Sequence, residues 1–171
     1  LAEEKIMRLS QFRESIIDNA NIWIDVLDEN KKIILWNKAA ENISGYAKED
    51  VIGNDRIWDW LYPDKKYRKE ITTKAAAVIE KNEVLEDFET IIRCKDEKER
   101  NISWNSRNLV DNQGNSIGSI AIGRDITERK KTEEHISLLA EIANTAPNSI
   151  LVHDLDGRMI YANRSTFEMH G

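Results

Sequence analysis

Apolar residues at the start of the chain recur every three or four positions, at Ile6, Leu9, Phe12, Ile16 and Ala20. Residues with this spacing lie on one face of a helix. Charged and polar residues occupy the intervening positions. The pattern therefore predicts an amphipathic helix over residues 1–20.

From residue 22 the apolar spacing changes to two, which is typical of a β-strand. One face of this strand carries Ile22, Ile24 and Val26. Turn-forming residues follow at 28–31, so residues 33–36 complete a predicted hairpin. The same alternation recurs later and predicts three more strands, within residues 88–94, 102–106 and 117–126.

Between the second and third strands the sequence favours short helices. Asn37 is predicted to cap the first of them and Gly45 to end it, because asparagine accepts from free helix N–H groups and glycine tolerates positive φ. Residues 48–82 are also predicted to be helical, with the longest piece after Pro63. The expected fold is α+β, a five-stranded antiparallel sheet with short helices on one side.

Length and composition allow one complete domain with connecting helices. The chain has 171 residues, of which 40% are hydrophobic and 33% charged, as expected of a folded domain with charged helices. The net charge of −6 argues against nucleic-acid binding. No run approaches the roughly 20 apolar residues of a membrane span, so we expect a cytoplasmic protein. The start at Leu1 suggests a longer parent, which could be membrane-associated.

The beginning of the sheet recurs near the end of the chain. Residues 21–45 align without gaps on residues 147–171, with an offset of 126. This alignment predicts a second copy of the hairpin and its helix. The identical pairs are Ile24 with Ile150, Val26 with Val152, Asp28 with Asp154, Ile34 with Ile160, Asn37 with Asn163, and Gly45 with Gly171.

Two stretches resemble the PAS domain family. Residues 33–41, followed by Gly45-Tyr46 and residues 51–53, resemble the front half of a PAS domain, and residues 118–130 resemble its closing PAC strand with an Asp-Ile-Thr signature. The resemblance implies a PAS fold around a small pocket. It also implies four segments: an N-terminal amphipathic helix at 1–20, a PAS sensor domain at 21–127, a linker helix at 128–146, and the truncated start of a second PAS domain at 147–171.

The tandem arrangement is similar to the input region of a prokaryotic sensor histidine kinase. It implies a sensory module that detects a small ligand or redox state and relays it through a helical linker to an output kinase of a two-component phosphorelay. The alternatives are a structural dimerisation or protein-interaction module without a ligand, and the input domain of a cyclase or transcription regulator. No catalytic constellation stands out, so this segment is not expected to be an enzyme.

The aromatic residues and the apolar positions of the late strands are the candidates for the pocket wall. Flat rings offer large apolar surfaces, although ordinary core packing is the alternative for each position. Trp36 and Trp104, in predicted strands, are the better candidates, with Trp58 and Trp60 closing the pocket from the helices. The full set is Trp36, Trp58, Trp60, Phe88, Ile92, Trp104, Ile120 and Ile122.

The cofactor is unknown, but some classes are disfavoured. His-ligated haem is disfavoured because no histidine follows Pro63 in the long helix; the three histidines are His135, His153 and His170. The single cysteine, Cys94, excludes a cysteine metal cluster, and its place in a late strand argues against cysteinyl-flavin photochemistry. A noncovalent flavin or a small metabolite remains open, and no metal site is expected.

Residues 125–127 connect the last predicted strand to the linker helix. We therefore expect Asp125, Ile126 and Thr127 to relay a signal from the pocket. The linker helix carries an apolar stripe that predicts a homodimer formed through the flanking helices, with packing of both stripes onto the sheet as the alternative. This stripe comprises Ile136, Leu139, Ala140 and Ala143. His135 beside it is interpreted as a solvated surface residue rather than a phosphoacceptor.

Overall fold

The computed structural model describes residues 2–170, with side chains for residues 2–168. It divides into two compact units, Leu1–Thr127 and Glu128–Gly171. The predicted counterpart of Gly45, Gly171, lies outside the described residues, as does Leu1, and the side chain of His170 is likewise not described.

The order of elements in the first unit matches the sequence pattern. A helix, two strands and four further helices precede three longer strands. The elements are α1 (Ala2–Asn19), β1 (Trp23–Asp28), β2 (Ile33–Trp36), α2 (Lys38–Ser44), α3 (Lys48–Val51), α4 (Ile57–Leu61), α5 (Lys65–Glu80), β3 (Leu85–Arg93), β4 (Glu99–Val110) and β5 (Ser116–Asp125).

The second unit begins with the linker helix and repeats the start of the first unit. Its elements are α6 (Thr127–Thr145), β6 (Leu151–His153), β7 (Met159–Ala162) and α7 (Arg164–His170). The strands β6 and β7 form an antiparallel two-stranded sheet.

The five strands of the first unit form one sheet in the order β2-β1-β5-β4-β3. Every neighbouring pair is antiparallel. The first and last strands, β1 and β5, lie side by side in the middle of the sheet, and helices α2–α5 contribute buried residues to the core beside it. The predicted α+β class with a five-stranded antiparallel sheet is confirmed.

The register between β1 and β5 determines which side chains face the core. Trp23, Asp25 and Leu27 are buried, and they lie opposite Gly123, Ala121 and Ser119 respectively. Large residues on β1 therefore face small ones on β5 across the inner surface of the sheet. Packing large against small residues is how facing positions fill a core without overlap.

Asn37 joins four elements through its buried side chain. Its Oδ1 accepts from the backbone N–H groups of Ile24 at 2.9 Å and Ala40 at 3.0 Å. Its Nδ2 donates to the carbonyl oxygens of Ile17 and Ile22, both at 2.9 Å. The residue follows β2, caps α2, and connects both to the end of α1 and the start of β1. Gly45 ends α2 with φ 79°.

The second unit contains the same network around Asn163. Its Oδ1 accepts from the N–H groups of Ile150 at 2.9 Å and Thr166 at 3.2 Å, and its Nδ2 donates to the carbonyls of Ala143 at 2.8 Å and Asn148 at 2.9 Å. Each partner stands 126 positions after its counterpart in the first unit. The end of α6 therefore occupies the position in the second unit that the end of α1 occupies in the first.

Helices α1 and α6 carry exposed apolar side chains. No described residue of either helix is buried. In α1, Phe12 is 62% and Ile16 is 56% exposed; in α6, Ile136 is 61% and Leu139 is 52% exposed. The apolar stripe of α1 thus does not pack onto the sheet of its own unit. Within residues 2–170, no helix combines the length and apolar character required to cross a membrane.

Replacing Asn37 by alanine should lower the free energy of unfolding by about 3 kcal/mol. The substitution removes a helix cap and leaves the N–H of Ile24 and the carbonyls of Ile17 and Ile22 without their partner. Urea denaturation followed by tryptophan fluorescence measures the effect. Asn42→Ala, at an exposed position of the same helix, is the control and should change stability by less than roughly 0.5 kcal/mol. Equal losses in both variants would contradict the role of Asn37.

Candidate functional site

A cavity of about 60 Å³ lies between the inner face of the sheet and helices α4 and α5. Six of its seventeen lining residues are aromatic: Trp23, Trp36, Trp58, Tyr62, Phe88 and Trp104. Eight aliphatic residues, two serines and Asp25 complete the lining.

Three tryptophans from β1, β2 and β4 pack edge to face on the inner face of the sheet. The ring centroid of Trp23 lies 4.7 Å from that of Trp36, with 73° between the planes. It lies 5.1 Å from the centroid of Trp104, at 82°. Edge-to-face pairs are a favourable arrangement of aromatic rings. The three indoles thus form one rigid corner of the cavity.

Each of these indoles is also held by a hydrogen bond from its Nε1. Trp23 donates to Asp25 Oδ1 at 2.8 Å and Trp104 donates to Thr90 Oγ1 at 2.8 Å. Trp36 donates to the carbonyl of Tyr46 at 3.2 Å. Since the polar atoms of the indoles are already paired within the protein, their carbon surfaces are what remains available to an occupant.

Gly123 leaves the space that the Trp104 indole occupies. A Cβ at this position would lie 2.6 Å from Cζ3 of Trp104, closer than two carbon atoms can approach without one moving. The absence of a side chain therefore allows the Trp104 indole to lie directly against β5.

Asp25 is the only acidic side chain among the residues that line the cavity. Its exposed fraction is 6%, and Trp23 is its only hydrogen-bond partner among residues 2–168. Burial raises the pKa of this carboxyl to about 7, despite the opposing hydrogen bond from Trp23. The group therefore changes charge near neutral pH, which an exposed aspartate does not.

Tyr62 supplies a neutral phenol to the same cavity. Its hydroxyl lies 3.1 Å from Thr90 Oγ1, and burial raises its pKa well above the usual range. No lysine, arginine or histidine lines the cavity. At neutral pH the charge of the lining therefore depends on Asp25 alone.

Four of the eight residues proposed from the sequence line the cavity: Trp36, Trp58, Phe88 and Trp104. Two others lie elsewhere. Trp60 stacks on Tyr46 with ring centroids 5.2 Å apart. Ile92 is fully buried but pairs with Arg100 towards the turn between β3 and β4, away from the cavity.

The structure corrects the assignment of Ile120 and Ile122. They pair with Val26 and Ile24, on the face of the sheet opposite to Asp25, and are only partly buried. The cavity wall on this strand comes instead from Ser119 and Ala121. Alternation places both isoleucines on the same face of β5, but it does not say whether that face is the inner one. On the inner face, the indoles of neighbouring strands occupy the space that isoleucine side chains would need.

Sequence reasoning missed Asp25, although its position carried a signal. The period of two places it on the same strand face as Trp23 and Leu27. A carboxylate between two large apolar residues on one strand face indicates either that this face is exposed to solvent or that the acid is buried. The burial of both neighbours shows that the second interpretation applies.

Residues 125–127 connect β5 to α6 and are tied to β4. The Ile126 N–H donates to the Asn101 carbonyl at 2.8 Å, and the Asn101 N–H donates to Thr127 Oγ1 at 2.9 Å. Arg100 Nη1 lies 2.6 Å from Asp125 Oδ2. Burial raises the pKa of Asp125, but hydrogen bonds from Thr127 and Arg100 outweigh it and hold the pKa below its usual value.

The donor set and the cavity size limit which cofactors fit. No group of three or more His, Cys, Asp or Glu residues in the described part of the chain could hold a metal ion. Pockets that enclose drug-sized ligands measure roughly 300–1,000 Å³. The cavity, of about 60 Å³, thus favours a small metabolite over a flavin.

The chain belongs to the PAS family. A model of the PAS fold matches residues 17–131, and a PAS domain model matches residues 137–171. No curated protein matches the chain.

Solved PAS structures are similar in fold. A PAS domain from Colwellia psychrerythraea is 27% identical, with a TM-score of 0.59, covering 70% of this chain and 98% of its own. The PAS domain of an HTR-like protein from Haloarcula marismortui is 22% identical, with a TM-score of 0.59, covering 73% and 98%. VqmA bound to DPO is 22% identical, with a TM-score of 0.57, covering 71% and 58%.

Asp25 should make the stability of the protein without a ligand fall as pH rises from 4 to 7. Its folded pKa of about 7 lies above the unfolded value of about 3.9. The folded state therefore binds more protons in this window, and the stabilisation is lost as pH rises through 7. Tyr62, the other titratable lining group, stays neutral throughout.

The measurement is urea denaturation of wild type and Asp25→Asn at pH 5 and pH 8. The variant should gain about 2.5 kcal/mol relative to wild type between the two pH values. Asp55→Asn, at an exposed position, controls for the change in net charge. A difference between wild type and Asp25→Asn that does not vary with pH would contradict the raised pKa.

Gly123→Ala should displace Trp104 and lower the free energy of unfolding by about 2 kcal/mol, because the added Cβ overlaps the indole ring. Near-ultraviolet circular dichroism reports the ring movement, and urea denaturation reports stability. Ser119→Ala on the same strand is the control, since it adds no atoms. An unchanged spectrum for Gly123→Ala would show that the ring does not depend on this glycine.

Proposed function

We propose that this chain is a sensory input module that binds a small ligand in the tryptophan-lined cavity and relays its occupancy to α6. The observation that carries the proposal is the continuity of β5. The strand lines the cavity at Ser119 and Ala121 and ends at Asp125, two positions before the first residue of α6.

The proposed relay passes along β5 to the junction with β4. A ligand that displaces the inner face of β5 would strain the ion pair between Arg100 and Asp125 and the hydrogen bonds of Asn101. These contacts hold the start of α6, so their rearrangement changes how firmly the helix is anchored. Such a ligand acts only through a difference in affinity between the two arrangements.

The family comparisons support the ligand-binding part of the proposal. VqmA, a structural neighbour, is described as bound to DPO, and the Vibrio cholerae VqmA is described as a dimer. We propose that this chain likewise forms a homodimer, through the exposed apolar stripes of α1 and α6. We further propose a histidine kinase as the output, in a two-component phosphorelay, which rests on the tandem arrangement.

A module that only dimerises, without a ligand, is the second candidate. It is favoured by the exposed apolar side chains of α1 and α6, which would supply an interface without a ligand in the cavity. Native mass spectrometry of the purified protein with a visible absorption spectrum distinguishes the two. A bound metabolite supports the sensory module; a ligand-free mass combined with no change in α6 on adding any cavity ligand supports the dimerisation module.

Arg100→Gln should loosen the start of α6, because it removes the cationic partner of Asp125. Hydrogen–deuterium exchange of the amides in the first two turns of α6 should rise several-fold. Lys98→Gln, in the same turn region but paired with Asp96 and not with Asp125, is the matched control. Unchanged exchange in Arg100→Gln would exclude the ion pair from the relay.

Leu139→Glu should shift the protein from dimer to monomer, since it places a charge in the apolar stripe. Sedimentation velocity measures the change. Ser137→Glu introduces the same charge on the opposite side of α6 and should leave the dimer intact. Identical sedimentation of wild type and Leu139→Glu would show that α6 does not contribute to the dimer.

A further inference from the structure

We propose that the cavity binds a small organic cation, an alkylammonium ion, with Asp25 as the counter-ion and the tryptophans contacting its alkyl groups. This inference rests on the proposed function of the cavity as a ligand site, and it specifies the class of ligand.

The charges of the lining favour a cation. Asp25 can be ionised, and no lysine, arginine or histidine lines the cavity, so an anionic ligand would face a negative wall without compensation. Of the two carboxyl oxygens, Oδ1 accepts from Trp23, while Oδ2 has no hydrogen bond to any described residue. Since no described side-chain oxygen is both fully buried and unpaired, Oδ2 keeps accessible surface and can accept from a further donor. A ligand N–H can supply that donor.

The aromatic wall favours a cation with an apolar shell. The indole N–H groups of Trp23, Trp36 and Trp104 are all engaged by protein acceptors. Their carbon surfaces attract positive charge through the ring quadrupole, and aromatic cages that recognise methylated ammonium groups use the same interaction. Alkyl groups on a charged nitrogen match these carbon surfaces.

The size and the donor count narrow the class further. A cavity of about 60 Å³ is far below the roughly 300–1,000 Å³ of pockets that enclose drug-sized ligands, so the ligand must be small. Trimethylammonium has four heavy atoms, one N–H for the unused Asp25 oxygen, and three methyl groups for the tryptophans. It is therefore the probe with which we would test the class.

The titration of Asp25 gives the inference a pH signature. Burial raises the pKa of this carboxyl to about 7, and a bound cation stabilises its ionised form. Binding should therefore release protons near pH 7 and tighten between pH 6 and pH 8. The other titratable lining group, Tyr62, stays protonated in this range and cannot produce the same dependence.

Isothermal titration calorimetry of the full chain with trimethylammonium chloride at pH 8 tests the inference. Wild type should bind at least tenfold more tightly than Asp25→Asn, and tenfold more tightly than it binds 2-propanol, a neutral compound of the same heavy-atom count. Asparagine retains an oxygen that can accept from Trp23, so the variant should remain folded, as circular dichroism will show. Asp55→Asn should bind like wild type.

Two results would overturn the inference. One is equal affinity of wild type for trimethylammonium and 2-propanol, or of wild type and Asp25→Asn for trimethylammonium. The other is no binding of trimethylammonium at millimolar concentration. The proposed sensory function is tested separately. A neutral metabolite that co-purifies and changes hydrogen exchange in α6 would contradict the cationic ligand class but support the sensory function.

Discussion

The antiparallel pairing of β1 with β5 is the constraint on which the rest of the first unit depends. It joins the beginning of the PAS domain to its end, and its register sets Trp23 and Asp25 opposite Gly123 and Ala121. Large side chains on one strand and small ones on the next leave space for the indole of Trp104. The cavity, its aromatic corner and its buried carboxyl all follow from this register.

The same strand also connects the cavity to the linker helix. β5 contributes to the cavity wall in its middle and ends at the Asp125 carboxylate, which Arg100 holds at 2.6 Å. A rigid, centrally paired strand has few ways to move without disturbing both of its neighbours. The proposed relay uses this strand for that reason.

The asparagine networks show that the repeat is structural as well as sequential. Asn37 and Asn163 each cap a helix and accept from two N–H groups, one of them in or directly before the first strand of the unit, while donating to two carbonyls. The end of α1 and the end of α6 are held in the same way by these side chains. Each unit thus begins with a helix whose carbonyl is anchored to the first hairpin.

The sequence by itself determined the order of elements, the α+β class, the PAS resemblance and the repeat. Those features depend on local spacing, on caps such as Asn37, and on the Asp-Ile-Thr junction, all of which are readable along the chain. Period-two alternation also separated the two faces of each strand. It could not say which face is buried, since that depends on pairing between distant segments.

Only the tertiary structure therefore decided which candidates face the cavity. In the structure, Ile120 and Ile122 lie on the outer face of the sheet, Trp60 stacks on Tyr46, and Asp25 lines the cavity. Trp36 and Trp104 line the cavity because β2 and β4 lie on either side of the central pair. The physical reason is that side chains from neighbouring strands pack against one another on the inner face of the sheet. The space left by Gly123 on β5 therefore determines where the Trp104 indole of β4 can lie.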